Sequence, residues 1–288
     1  MSKSIKQLRN DLTILSEKIK DLAINLQGLY RDYLESLSVV VKRQLTLATY
    51  QICTQKYPDA FLNLSYQKRY DLQGRIKGLE NTFKDNLFNA FQSIEVGNNQ
   101  VIQDFYNHII SIFSVEQISK DNNLVDLEIA QNSENNLAKE EELNPHDLIK
   151  FQLDIEDCLE ECLTNISHQT NKYLQDAHIL PNKIPSKILE MALQAEENTS
   201  IVSGAPNLLS LLIEREDKSD NNVDITPIVA ICLRLTEIEF NDPSLNLIRQ
   251  KINNILRKLD DLDNEYQQKK QKYSIAQAES AWRSSWNE

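Results

Sequence analysis

Residues 5–33, IKQLRNDLTILSEKIKDLAINLQGLYRDY, decide the fold class. Ile5, Leu8, Leu12, Leu15, Ile19, Leu22, Leu26, Leu29 and Tyr33 recur at steps of three and four. That spacing is the a/d signature of a coiled-coil helix, and it runs unbroken over four heptads. After Tyr33 the apolar face widens through Leu34, Leu37, Val40, Val41, Leu45, Leu47, Ala48 and Ile52, as expected where several neighbours cover a helix. Pro58 ends this element, because proline disfavours helical geometry in the residue before it.

The end of the chain carries the same pattern. In NDPSLNLIRQKINNILRKLDDLDNEYQQKKQKY (residues 241–273), Asp242 suits an N-cap and Pro243 the first turn. Leu245, Ile248, Ile252, Ile255, Leu259, Leu262, Tyr266, Lys269 and Tyr273 again step by three and four, with Lys269 the one polar member. Beyond Tyr273 the apolar positions are Ile275, Ala278, Trp282 and Trp286, on a rotated face. Both tryptophans of the chain therefore lie in its last eight residues.

Between these arms the sequence reads as further helices. Leu72, Ile76, Leu79, Phe83, Leu87 and Phe91 keep a helical period, and Gly97 marks a stop. A shorter helix carries Val101, Phe105, Ile109, Ile112 and Phe113. The stretch SKDNNLVDLEIAQNSENNLAKEEELN (119–144) is acidic and Asn-rich and reads as a linker. Asn144 and Pro145 then open a helix whose stripe is Leu148, Phe151, Ile155, Leu159, Cys162 and Ile166. Another helix is expected from Pro185 to about Glu197, then a loop with Gly204 and Pro206 and a short helix. DITPIVAICLRLTEIEF (224–240) suits either a helix or a strand; the helix is preferred, because no other segment offers an obvious strand partner.

The expected fold is all-α: an elongated helical bundle with N- and C-terminal coiled-coil arms. Its regions are an N-terminal coiled-coil and helical part (1–118), the acidic linker (119–144), a helical middle (145–240) and the C-terminal coiled-coil arm with its Trp tail (241–288). Scarce glycine (5) and proline (7) support this, since sheet proteins need many tight turns.

The arms could pair with each other, with their copies in a homo-oligomer, or with a foreign protein. In a parallel pair of the last arm, with Ile252 at a, Lys258 meets Asp263 and Glu265 meets Lys270, both favourable; this allows a homodimer through 245–273. The first arm gives Asp11–Ser16, Lys18–Ala23 and Asn25–Tyr30, with no ion pair, and looks suited to a bundle. Both stripes could equally be plain core faces of one bundle.

Charge and motifs exclude several function classes. The formal net charge is -12, a poor match to nucleic acid, whose binding needs phosphate neutralisation. Residues 119–163 hold three Lys/Arg against thirteen Asp/Glu, while residues 1–57 hold nine against five. No run of about 18 apolar residues suggests a membrane span, and the charged start MSKSIKQLRNDLTILSEKIKD has no apolar signal core. A cytoplasmic setting, with Cys53, Cys158, Cys162 and Cys232 as reduced thiols, is the default expectation.

Cys158 and Cys162 with His146 and His168 lack the second ligand pair of a zinc site. Asp154, Glu156, Asp157, Glu160 and Glu161 lack the grammar of a calcium loop, and no Glu-x-x-His pair of a di-iron bundle occurs, so they read as a solvated helix face. His108 and His178 stand beside no recognisable nucleophile, and no phosphate-binding, hydrolase or metalloprotease motif is present. No catalytic, cofactor or metal residues are expected, and the chain is not expected to be an enzyme.

The candidate interaction residues are Trp282, Trp286, Ile252, Ile255, Leu259 and Leu262 of the last arm and Leu8, Leu12, Leu15 and Leu22 of the first. The expected role is a scaffold or adaptor that binds protein partners. The tryptophans read either as a staple onto the protein's own body or as an anchor filling pockets of another protein. With Lys269, Lys270, Lys272 and Arg283 nearby, contact with a membrane surface is the alternative, and an enzyme with a scattered site the third.

The block DITPIVAICLRLTEIEFNDPSLNLIRQKINNILRKLDDLDNEYQQKKQKYSIAQAESAWRSSWNE resembles the C-terminal part of uncharacterised cyanobacterial all-helical, coiled-coil proteins. The resemblance covers about the last quarter of the chain. It implies a bacterial cytoplasmic setting and carries over no activity and no site residues.

Overall fold

The computed structural model describes residues 4–117, 143–181, 205–216 and 223–286. Its helices are α1 (Ile5–Gln51), α2 (Pro58–Leu62), α3 (Tyr66–Gln92), α4 (Gln100–Gln117), α5 (Pro145–Asp176), α6 (Leu235–Asn241) and α7 (Pro243–Trp286). One antiparallel hairpin, β1 (Leu208–Glu216) and β2 (Val223–Ile231), interrupts them. The chain is all-α in class. The expected linker, save Leu143 and Asn144, and the expected helix from Pro185 lie outside the described residues.

Helix boundaries follow local chemistry. Asn144 Oδ1 accepts the His146 N–H at 3.3 Å, so the N-cap and the proline behind it start α5 as the sequence suggests. Asp242 Oδ1 accepts the N–H groups of Ser244 and Leu245, both at 3.0 Å, and starts α7. At the other end of α1, Tyr57 lies before Pro58 and has φ -130° and ψ 53°, outside the helical region. The last turn widens to meet it. Ile52–Lys56 is a single π-helical turn closed by Tyr57 N–H donating to Ile52 O at 2.9 Å. Helix α5 ends on His178 at φ 59°, whose left-handed backbone lets Ile179 and Leu180 N–H return to Leu174 O.

The chain divides into two compact units, each assembled from separated segments. The first comprises residues 1–34, 91–156 and 247–288. Its core is built on α1, with Leu8, Leu12, Leu15, Ile19, Ala23, Leu26 and Tyr30 buried. Tyr30 packs on Phe105 of α4 with ring centroids 5.9 Å apart, and Phe105 packs on Phe151 of α5 at 5.3 Å. From α7, Ile252, Leu259 and Tyr266 complete the core, one every seventh residue.

The second unit comprises residues 35–90 and 157–246. Leu37, Val41, Leu45 and Ile52 of α1 and the π turn, Phe83 and Leu87 of α3, and Leu159, Leu163 and Ile166 of α5 are buried there. The hairpin also belongs to this unit, and it corrects the helical reading of residues 224–240. Only Leu235–Asn241 is helical; Val223–Ile231 is a strand, paired from Leu208↔Ile231 to Glu216↔Val223. The partner strand is the segment read from sequence as a short helix. Ile225, Thr226, Ile228, Val229 and Ile231 are β-branched, and such residues fit a pleated surface better than a helix. Pro227 is tolerated because a strand of a two-stranded sheet is always an edge strand.

Side chains finish the edge of β2. The Asn171 carboxamide donates to Ile231 O at 2.7 Å and accepts from Ile231 N–H at 2.9 Å. Tyr57 Oη accepts the Val229 N–H at 2.9 Å and donates to its carbonyl at 3.2 Å. Ser167 Oγ accepts the Leu233 N–H at 2.9 Å. Asn171 and Ser167 of α5, with Tyr57 before α2, thus satisfy backbone groups that a third strand would otherwise pair.

Candidate functional site

The buried stripe of α1 departs from the heptad. Buried positions run Leu8, Leu12, Leu15, Ile19, Ala23, Leu26, Tyr30, Tyr33 and Leu37, with more steps of four than of three. This is the period of a straight α-helix rather than the 3.5 of a supercoil. The apolar seam therefore rotates: Leu22 and Leu29 are half-buried, while Ala23 and Tyr30 take the core positions.

Of the expected interaction residues, Leu8, Leu12, Leu15, Ile252 and Leu259 are buried inside the single chain, and Leu22, Ile255 and Leu262 are half-buried. The stripe that a dimer through 245–273 would use is thus covered at Leu245, Ile252, Leu259 and Tyr266. Lys269 joins it by charge: its Nζ lies 2.6 Å from Glu265 and 3.8 Å from Asp11 of α1. The bond to Glu265 raises the Lys269 ammonium and lowers the Glu265 carboxyl from their ordinary ranges.

The tryptophans differ from the rest of the set. Trp282 is 63% exposed and Trp286 73%, and Ile275 on the same stretch is 52% exposed. Among the described residues, the polar side chains from Ser274 to Ser285 bond only within their own helix: Ser274 to Lys270 O, Gln277 to Tyr273 Oη, Arg283 to Glu279, Ser284 to Ala281 O and Ser285 to Trp282 O. The two indoles lie on one face with centroids 5.4 Å apart and planes tilted by 36°. This is two large aromatic surfaces, placed side by side on a helix and open to solvent.

The same helix is gripped lower down by a polar cluster that sequence reasoning missed. Arg249 donates from Nη1 and Nη2 to the two oxygens of Glu156 on α5, at 2.7 and 2.8 Å. Arg249 Nη2 also donates to Tyr33 Oη at 2.6 Å, and its guanidinium carbon lies 4.4 Å from the Tyr33 ring centre. Tyr30 Oη donates to Glu156 Oε1 at 2.5 Å, and Gln152 donates to both Tyr30 Oη and Glu156 Oε1. Burial, then the neighbouring Glu156 charge, pushes the Tyr30 phenol well above its usual range. Glu156 thus corrects the reading of its acidic neighbours as one solvated face. Asp157, Glu160 and Glu161 are exposed, but Glu156 is turned inward and paired. The signal was present: Gln152 and Glu156 flank the buried Ile155 on the α5 stripe.

In this cluster the side chains of Tyr30, Tyr33, Gln152, Glu156 and Arg249 bond to one another. Two of the four thiols are kept neutral by burial. Burial pushes the Cys53 thiol up to about 11 and, with help from Cys158 and Glu161, the Cys162 thiol up to about 12. Among the described residues no group of three His, Cys, Asp or Glu side chains is placed to hold a metal ion, and no helix is long and apolar enough to cross a membrane. Compared with protein-family models, curated proteins and solved structures, the chain matches none.

Proposed function

We propose that the protein is a non-catalytic adaptor that binds a second protein by seating the end of α7 in an apolar groove. One observation carries this reading: Trp282 and Trp286 lie side by side on one helix face and are exposed at 63% and 73%. Large aromatics in water are costly unless a partner covers them, and two at i and i+4 are the anchors by which an amphipathic helix enters a groove. The helical stripes supply the stem, since their apolar residues are buried or half-buried within the chain.

A membrane surface is the second reading, favoured by Lys270, Lys272 and Arg283 near the indoles. It ranks lower because Lys269 is tied to Glu265 and Asp11, and Arg283 to Glu279 at 3.1 Å. The test compares the full chain with a Trp282→Ala/Trp286→Ala variant as bait. A partner retained by the first, lost by the second, and shown with purified components to bind the full chain directly supports the adaptor. Equal capture by both baits sinks it. Binding to anionic vesicles that the variant loses, without any protein partner, transfers the tail to the membrane reading.

A further inference from the structure

The second unit contains an apolar pocket that the adaptor reading does not use. It lies where the end of α1 and the π turn meet α2 and α3, and its volume is about 330 Å³. Apolar cavities of about 150 Å³ already admit benzene, and small-molecule sites begin near 300 Å³. Leu72 and Ile76 of α3 and Cys53 of the π turn, each no more than 5% exposed, form its apolar wall with Phe61 of α2. The Cys53 thiol is held neutral by burial, so this wall carries no negative charge.

Two features set the pocket apart from a packing defect. The first is the π turn itself, which brings Cys53 and Thr54 to the pocket in a widened helix geometry that recurs at functional sites. The second is the charge on its lining. The chain is acidic, yet among the described residues no Asp or Glu lines the pocket, and the one charged residue that does is Lys77. The neighbouring Arg69 does not compete, because it is committed to Leu62 O at 2.8 Å and Leu64 O at 3.0 Å and lies over the Phe61 ring. An apolar body with one negative group is the ligand that satisfies both the wall and the cation.

We infer that this pocket binds a small apolar carboxylate, with its hydrocarbon part against Leu72, Ile76, Phe61 and Cys53 and its carboxylate at Lys77. The probe is decanoate, with decanol as its uncharged counterpart, titrated calorimetrically into the full chain. One saturable site per chain is expected, with decanoate the tighter ligand. Lys77→Gln should weaken decanoate by about fivefold and leave decanol unchanged, the scale of a partly exposed ion pair. Thr46→Phe, a plug at the exposed rim, should abolish both. Thermal melting with and without decanoate checks each variant's fold, because a ligand that binds only the folded chain raises its melting temperature. No saturable binding of decanoate, or binding unchanged in the plugged variant, overturns the site; equal decanoate affinity in folded Lys77→Gln overturns the assignment of a carboxylate.

Discussion

Arg249 of α7 holds Glu156 of α5 through two hydrogen bonds, 2.7 and 2.8 Å long, across 93 residues of sequence. Their side chains are only 13% and 17% exposed. Burying two charges is costly, and their attraction offsets the cost only when the remaining lone pairs and protons are also satisfied. Here Tyr30 and Gln152 serve Glu156, and Tyr33 serves Arg249. Removing one partner should therefore hurt more than removing both. Arg249→Met alone should cost roughly 2–4 kcal/mol, and so should Glu156→Gln. The double variant should lose clearly less than the two together. Urea unfolding of the four chains measures this; strictly additive losses would show that the pair is not coupled.

The Asn171 carboxamide makes both bonds with the Ile231 peptide groups, and it is 1% exposed. Asn171→Ala leaves a buried N–H and a buried C=O with no partner. Each such group costs roughly 1–3 kcal/mol, so a loss of about 2–4 kcal/mol is expected. Amide exchange at Ile231 should also speed up in the variant. A melting temperature within one or two degrees of the parent would mean that water replaces the side chain at no cost.

These two clusters mark where sequence reading stops. The caps at Asn144 and Asp242 were legible because an N-cap needs only its own next few residues. The stripes on α1 and α7 were legible as apolar faces. Which residues of each face enter the core was not, because the difference between a 3.5 and a 3.6 period accumulates slowly and decides Ala23 over Leu22 only after about two heptads. The strand at Val223–Ile231 was missed for another reason. A strand is recognised by its partner, and β1 is a leucine-rich run that a helix would also accept. The polar groups that hold β2 lie at Tyr57, Ser167 and Asn171, as far as 172 residues away in the chain. The tail was singled out from the position and spacing of its tryptophans; its exposure is a tertiary fact.

Thr49 offers the opposite case from Asn171. Thr46 and Thr54 donate their hydroxyls to the carbonyls of Lys42 and Tyr50, four residues back, but the buried Thr49 Oγ1 has no partner. An unpaired buried hydroxyl has paid desolvation with no bond in return. Thr49→Val keeps the shape and removes the polar atom, so stability should rise, by up to about 1 kcal/mol. A clear loss in urea unfolding would show that the hydroxyl has a partner, such as an ordered water.

Asp242 links folding to pH. It accepts the backbone N–H groups of Leu245 and Ser244 and lies 2.7 Å from Arg43. These interactions, led by the bond from Leu245 N–H, hold its carboxyl below the ordinary carboxylate range. A depressed folded-state pKa means that the unfolded chain binds this proton more readily than the folded one. The contribution is therefore fully present above the unfolded pKa, near 4, and disappears as pH falls through the lower folded value. Asp242→Asn keeps a capping oxygen and removes the titration. Its stability deficit against the parent should be constant from neutral pH to about 5 and shrink as the solution is made more acid. Chemical unfolding of both chains across that range decides it. A deficit that stays constant down to acid pH would mean that Asp242 does not titrate differently in the two states, and that the N-cap of α7 acts through its dipole and hydrogen bonds alone.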